Sequence, residues 1–112
     1  MKKLSLITFL LSLFFHLSYA QLPDIEFEHY TTREGLAGDV VEDIIQDNEG
    51  FLWFAAGGGL SRFDGYTFTN YFGQKSDTTS IPPGILTMFK DRDGLIWVGA
   101  ARGDGNGAAV FN

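Results

Sequence analysis

The chain has 112 residues, with 14 acidic and 8 basic side chains, two histidines and no cysteine. Its net charge of −6 argues against nucleic acid and anionic lipid headgroups as partners, because both select basic patches. Without cysteine there is neither a disulfide framework nor a thiol to carry a lipid.

Lys2 and Lys3 open the chain, and an apolar run covers residues 4–17. Ser18-Tyr19-Ala20 then places small residues three and one before Gln21. This is the tripartite layout of a secretory signal peptide over residues 1–20, with cleavage expected after Ala20. The alternative is a permanent anchor. A span takes about 20 apolar residues, whereas this run is shorter and is broken by Ser5, Thr8, Ser12 and His16. Cleavage would leave residues 21–112, with 14 acidic against 6 basic side chains and a net charge of −8.

The mature part is rich in turn and strand formers, including 14 glycines, 11 phenylalanines and two tryptophans in the whole chain. No sustained apolar period of 3.6 follows Ala20, so the pattern is all-β, with short strands joined by tight turns. In chain order, strands are expected over 25–31, 40–46, 51–56, 60–63, 66–72, 85–90, 95–100 and 108–111.

Self-similarity organises these strands. Residues 44–54, IIQDNEGFLWF, align without a gap on residues 88–98, MFKDRDGLIWV, at an offset of 44. Asp47 matches Asp91, Gly50 matches Gly94, and Trp53 matches Trp97. A second echo relates Phe27-Glu28-His29-Tyr30 to Phe68-Thr69-Asn70-Tyr71 at an offset of 41. A period in the low forties is the length of one four-stranded β-propeller blade. The expected fold is therefore a fragment of a β-propeller, about two four-stranded antiparallel blades in an incomplete ring. Residues 25–31 form an outer strand, 40–72 a full blade and 85–111 a partial one.

Each repeated residue has a local task. In Asp47-Asn48-Glu49-Gly50 and Asp91-Arg92-Asp93-Gly94, the aspartate accepts backbone N–H bonds and the glycine supplies a positive φ. Trp53 and Trp97 are expected to fill the space between blades. Gly57-Gly58-Gly59 and Asp64-Gly65 are expected to turn the chain into its third and fourth strands.

The joint pattern of Asp47 to Trp53 and Gly59 to Gly65, preceded by Phe27-x-x-Tyr30-Thr31-Thr32-Arg33-Glu34-Gly35-Leu36, resembles the two-component regulator propeller repeat family. The likeness covers essentially the whole mature chain. It implies the N-terminal periplasmic sensor region of a Bacteroidetes-type hybrid two-component histidine kinase, responsive to glycans and truncated here. It departs from the family pattern at Phe54-Ala55-Ala56 and Val98-Gly99-Ala100, where Gly-Thr usually follows the tryptophan strand. A longer glycine-rich stretch, Arg102 to Gly107, also replaces the usual short turn.

Candidate chemistry is sparse. The acidic turns at 47–50 and 91–94 suggest calcium, but calcium takes six to eight oxygens, and hairpin turns explain them. His29 is the one histidine beyond the leader, and with no cysteine it cannot build a zinc site from the usual ligands. Glu42-Asp43 is an acidic pair of the kind glycoside hydrolysis uses, yet such pairs are inevitable in so acidic a chain. The glycines at 57–59 and 103–107 lack the Lys-Ser/Thr of a phosphate loop. Arg62, Phe63, Tyr66 and Tyr71 are candidates for a sugar-stacking surface, with ordinary strand packing as the simpler reading. No catalytic, cofactor-binding or metal-ligating residue is assigned, no cofactor is expected, and the ligand-binding residues stay unknown. The expected partners are an oligosaccharide ligand in the full propeller, and remaining blades or other copies, with membrane contact only through absent C-terminal regions. The alternative to a non-catalytic sensor segment is a secreted stand-alone repeat module that assembles with other chains.

Overall fold

The computed structural model describes residues 1–16, 23–74, 79–101 and 107–112. The expected cleavage site at Ala20 and the loop at 102–106 lie outside these residues. The N-terminal segment forms a helix, α1 (Lys2–His16). Its apolar side chains at Leu4, Leu6, Ile7, Phe9, Leu10 and Leu11 are all exposed. Among the described residues no helix is long and apolar enough to cross a membrane.

The remainder is all-β and builds two open antiparallel sheets. The first has the order β1 (Val41–Gln46), β2 (Leu52–Ala56), β3 (Gly59–Phe63) and β4 (Phe68–Tyr71). The second has the order β5 (Ile85–Lys90), β6 (Ile96–Ala100) and β7 (Gly107–Phe111). Strand order therefore follows chain order in both, as expected where each strand is joined to the next by a short turn. The fourth strand of the first sheet is shorter than its alternation suggests. Asp64 Oδ1 accepts bonds from the amides of Tyr66 and Thr67, both at 2.8 Å, and holds these two residues in the turn.

The two sheets are copies of one unit in register as well as in order. Ile45 faces Trp53 across β1 and β2, and Phe89 faces Trp97 across β5 and β6. Both first strands carry an irregularity at matching places, between Val41 and Asp43 and between Ile85 and Thr87. Such a bulge bends the strand and increases its twist.

The core lies between the sheets. Trp53, Ala55 and Leu60 from the first meet Ile85, Met88, Ile96 and Val98 from the second. Because side chains alternate along a strand, the opposite face of the first sheet carries Ile44, Phe54, Ser61 and Asn70, which share one row of the register. The loop before β1 lies across this opposite face. The Ala37 amide donates to Ser61 Oγ at 2.9 Å, Ser61 donates to Asn70 Oδ1 at 2.8 Å, and Asn70 Nδ2 donates to the Gly35 carbonyl at 2.8 Å. Ser61 is fully buried, and this chain of bonds offsets the cost of burying its hydroxyl. Leu36 is buried beside it.

Residues 25–31, expected as an outer strand, pair with no strand among the described residues. Tyr30 packs its ring against Phe63 at 5.1 Å and Phe68 at 5.6 Å, which ties the segment to the outer face of the first sheet. The expected turn at Gly57-Gly58-Gly59 is also one residue shorter, since Gly59 already belongs to β3. A Cβ on Gly58 would run into the Ala37 carbonyl, and one on Gly59 into the Tyr71 carbonyl. The glycine cluster is needed as much for close backbone approach as for turning.

Candidate functional site

The most distinctive constellation is built twice. In the first copy, Asp47 Oδ1 accepts from the amides of Glu49 and Phe51, both at 2.9 Å, while Oδ2 accepts from the Trp53 indole at 2.8 Å. In the second, Asp91 Oδ1 accepts from Asp93 at 2.9 Å and Leu95 at 3.0 Å, and Oδ2 from the Trp97 indole at 2.8 Å. The backbone closes both turns alike, with Gly50 donating to the Asp47 carbonyl and Gly94 to the Asp91 carbonyl. Gly50 and Gly94 sit at φ 93° and 88°, a region where a side chain is strained. The sequence anticipates the amide bonds of the aspartate. It does not announce the indole bond, whose only trace is the six-residue spacing from aspartate to tryptophan.

This geometry gives both carboxylates a structural task, because each of their oxygens already accepts an N–H donor. The Asp91 carboxyl is held below its ordinary range, chiefly by the Trp97 indole and further by the amides of Leu95, Asp93 and Gly94. No group of three or more histidine, aspartate or glutamate side chains stands together as a metal-ligand set among the described residues. Of the Glu42-Asp43 pair, Asp43 links the sheets. Its Oδ2 accepts from the Met88 amide at 2.7 Å and from the Thr87 hydroxyl at 3.3 Å.

Beside the core a cavity of about 490 Å³ opens between the sheets, lined by Asp47, Glu49, Trp53, Arg62, Tyr71 and Phe111, among others. The Trp53 ring lies 5.7 Å from that of Tyr71 and 4.8 Å from that of Phe111. The Arg62 guanidinium lies over the rings of Phe51, at 4.8 Å, and Trp53, at 5.9 Å, a cation–π arrangement. Its Nε is buried and donates to no acceptor among the described residues. The four residues considered for sugar stacking are thus divided. Arg62 and Tyr71 share the cavity, Phe63 packs on the opposite face with Tyr30 and Phe68, and Tyr66 is 92% exposed in its turn.

His29 lines a second, shallower depression of about 530 Å³ with Thr31, Thr32, Arg33, Glu34 and Asp39. Glu34 Oε2 accepts from the Thr31 amide at 2.7 Å and hydroxyl at 2.6 Å, and these bonds hold its carboxyl below the usual range, the hydroxyl contributing most. Asp39 accepts from the Thr32 amide at 2.8 Å. These bonds fix the loop that precedes β1, and they engage the acidic groups that line the depression.

No family model matches the chain. Over 62 residues, 55% of its length, it is 42% identical to a protein of Formosa agariphila named histidine kinase P4. The likeness takes in 4% of that protein's length.

Proposed function

We propose that this chain is an extracytoplasmic segment of a two-component sensor, non-catalytic in itself and part of a propeller-type ligand-binding domain. One observation carries the reading. The same Asp–turn–Trp sheet is built twice and stacked face to face, in a chain that matches a histidine kinase over 62 residues. Stacked repeats that each bury one neighbour's face are the logic of repeat architectures. The resemblance to the two-component regulator propeller repeat points to an oligosaccharide as the ligand. The cavity beside Arg62, Trp53 and Tyr71 offers the aromatic and cationic surface that sugars meet. The signal peptide reading of residues 1–20 supports export, and α1 with its uncovered apolar side chains is compatible with a leader that leaves the protein.

The test is to read the DNA flanking this coding sequence and to map the N-terminus of the protein made from its locus. The proposal expects Gln21 as the first residue, with further repeats, a membrane span and a kinase core in frame. A stop codon after Asn112 that persists on resequencing, with a soluble assembled product, would favour a secreted stand-alone binding module instead.

A further inference from the structure

We propose that Asp43 is a lock shared by the two sheets: its one carboxylate closes the same outward amide in both, and the second sheet borrows that closure from the first. Which amides these are follows from the ladders. The Asp47 amide donates to the Phe51 carbonyl, and the Asp91 amide to that of Leu95. Ladder bonds alternate along an antiparallel strand, so Ile45 and Phe89 also turn their amides toward the neighbouring strand. Ile44 and Met88, one residue earlier in each case, turn theirs away from it. Among the described residues β1 pairs with β2 alone and β5 with β6 alone. The two outward amides therefore emerge on edges that carry no ladder, and each needs an acceptor from elsewhere.

Asp43 supplies both acceptors. Its Oδ1 accepts from the Ile44 amide at 2.9 Å, and its Oδ2 from the Met88 amide at 2.7 Å. Ile44 and Met88 match at the repeat offset of 44, so one carboxylate serves both copies of a single position. The residue that stands in Asp43's place in the second sheet is Thr87. It has no carboxylate, and it donates its hydroxyl to Asp43 at 3.3 Å. The first sheet thus closes its own outward amide, while the second has its amide closed by a residue of the first.

The position of the lock gives it leverage. Asp43 and Thr87 directly follow the irregularities of β1 and β5, and a bulge disrupts its ladder locally. These are the points where each first strand is least held by its own sheet. A single side chain secures both, so the local stability of β5 is tied to a residue on β1. The lock lies in the seam between β1 and β5, within the pair of sheets, and it stands or falls separately from the sensing role.

Amide hydrogen exchange in the full chain, followed by nuclear magnetic resonance, tests the lock at the two positions. Asp43→Ala should speed exchange of both the Ile44 and the Met88 amide by about tenfold or more, as for the loss of hydrogen bonds to a charged group. The ladder amides of Ile45 and Phe89 should change far less. Adding Thr87→Asp to Asp43→Ala then puts a carboxylate where the second sheet can close its own amide. Protection of Met88 should return, and Ile44 should stay fast. Exchange at Met88 that Asp43→Ala leaves unchanged would overturn the proposal. So would a double variant in which both amides recover, or neither does. If the alanine variants do not fold, Asp43→Asn decides, because its side chain keeps one acceptor oxygen in place of two. One of the two amides should then lose its protection, and protection kept at both would overturn the shared lock.

Discussion

Trp53 and Trp97 occupy the same position in two copies of one sheet, and they differ in what covers them. Each indole donates a 2.8 Å bond to the aspartate that opens its turn. Yet Trp53 is 7% exposed and Trp97 is 43% exposed. The local turn is thus set by residues six positions apart. Burial is set by the neighbouring sheet, which lies over Trp53 and leaves the face of Trp97, Phe89 and Val110 open. Repeat architectures divide their stability in this way, between the unit and the interface with the next unit.

The largest expected contrast is in the tryptophans themselves. Trp53→Ala should destabilise the chain by about 3–5 kcal/mol, the cost of emptying a packed aromatic site. Trp97→Ala should cost less, about 1–2 kcal/mol with its hydrogen bond included, since its ring is already partly in water. Denaturant titration of both variants measures the gap, and equal losses would break the comparison.

The next contrast is Asp43 against Thr87, which match at the repeat offset of 44. Asp43 crosses to the second sheet and binds the Met88 amide at 2.7 Å. Asp43→Ala should therefore cost about 1.5–3 kcal/mol, as for hydrogen bonds to charged groups. Thr87→Ala should cost about 0.5–1.5 kcal/mol or less, because its bond to Asp43 is long and exposed. The same titration ranks the two, and a reversed order would show that Asp43 does not join the sheets.

Smaller still is the difference between the turn glycines. Gly50→Ala and Gly94→Ala both place a side chain at positive φ, at a cost of about 1–2 kcal/mol. The Gly94 Cβ would additionally meet the Asn48 amide group of the first sheet, while the nearest atom to a Gly50 Cβ is 4.0 Å away. Thermal melts should rank Gly94→Ala as the more damaging by a modest margin.

The smallest effect concerns pH. The Asp91 carboxyl is lowered in the folded chain, chiefly by the Trp97 indole. Its contribution is therefore fully present above the ordinary carboxylate value of about 3.9 and is lost as pH falls through the lower folded value. Asp91→Asn should flatten this part of the acid limb in a series of melts below about pH 4. An unchanged limb would deny Asp91 that role.

The sequence made the repeat legible because its turn residues and strand tryptophans are spaced by covalent geometry. The seven strands that form therefore fall within one or two residues of the pattern, the largest shift among them being in β4, where Asp64 draws Tyr66 and Thr67 into the turn. What the sequence left hidden depends on contacts between distant residues. The Ser61–Asn70 bond chain has partners up to 35 positions away. The exposure of Trp97 depends on a neighbouring sheet, and the strand echo at 25–31 pairs with no strand among the described residues. The cavity was equally invisible, since Arg62 and Tyr71 share it only because adjacent strands place them on one face.

One repeat position meets two environments, at Trp53 and at Trp97, and fluorescence quenching measures that directly. Two single-tryptophan chains, Trp97→Phe and Trp53→Phe, are titrated with acrylamide under native conditions. The chain that keeps Trp53 should be quenched several-fold less than the chain that keeps Trp97, with the gap closing on unfolding. Equal quenching of the two folded chains would contradict the stacking of the second sheet over the first.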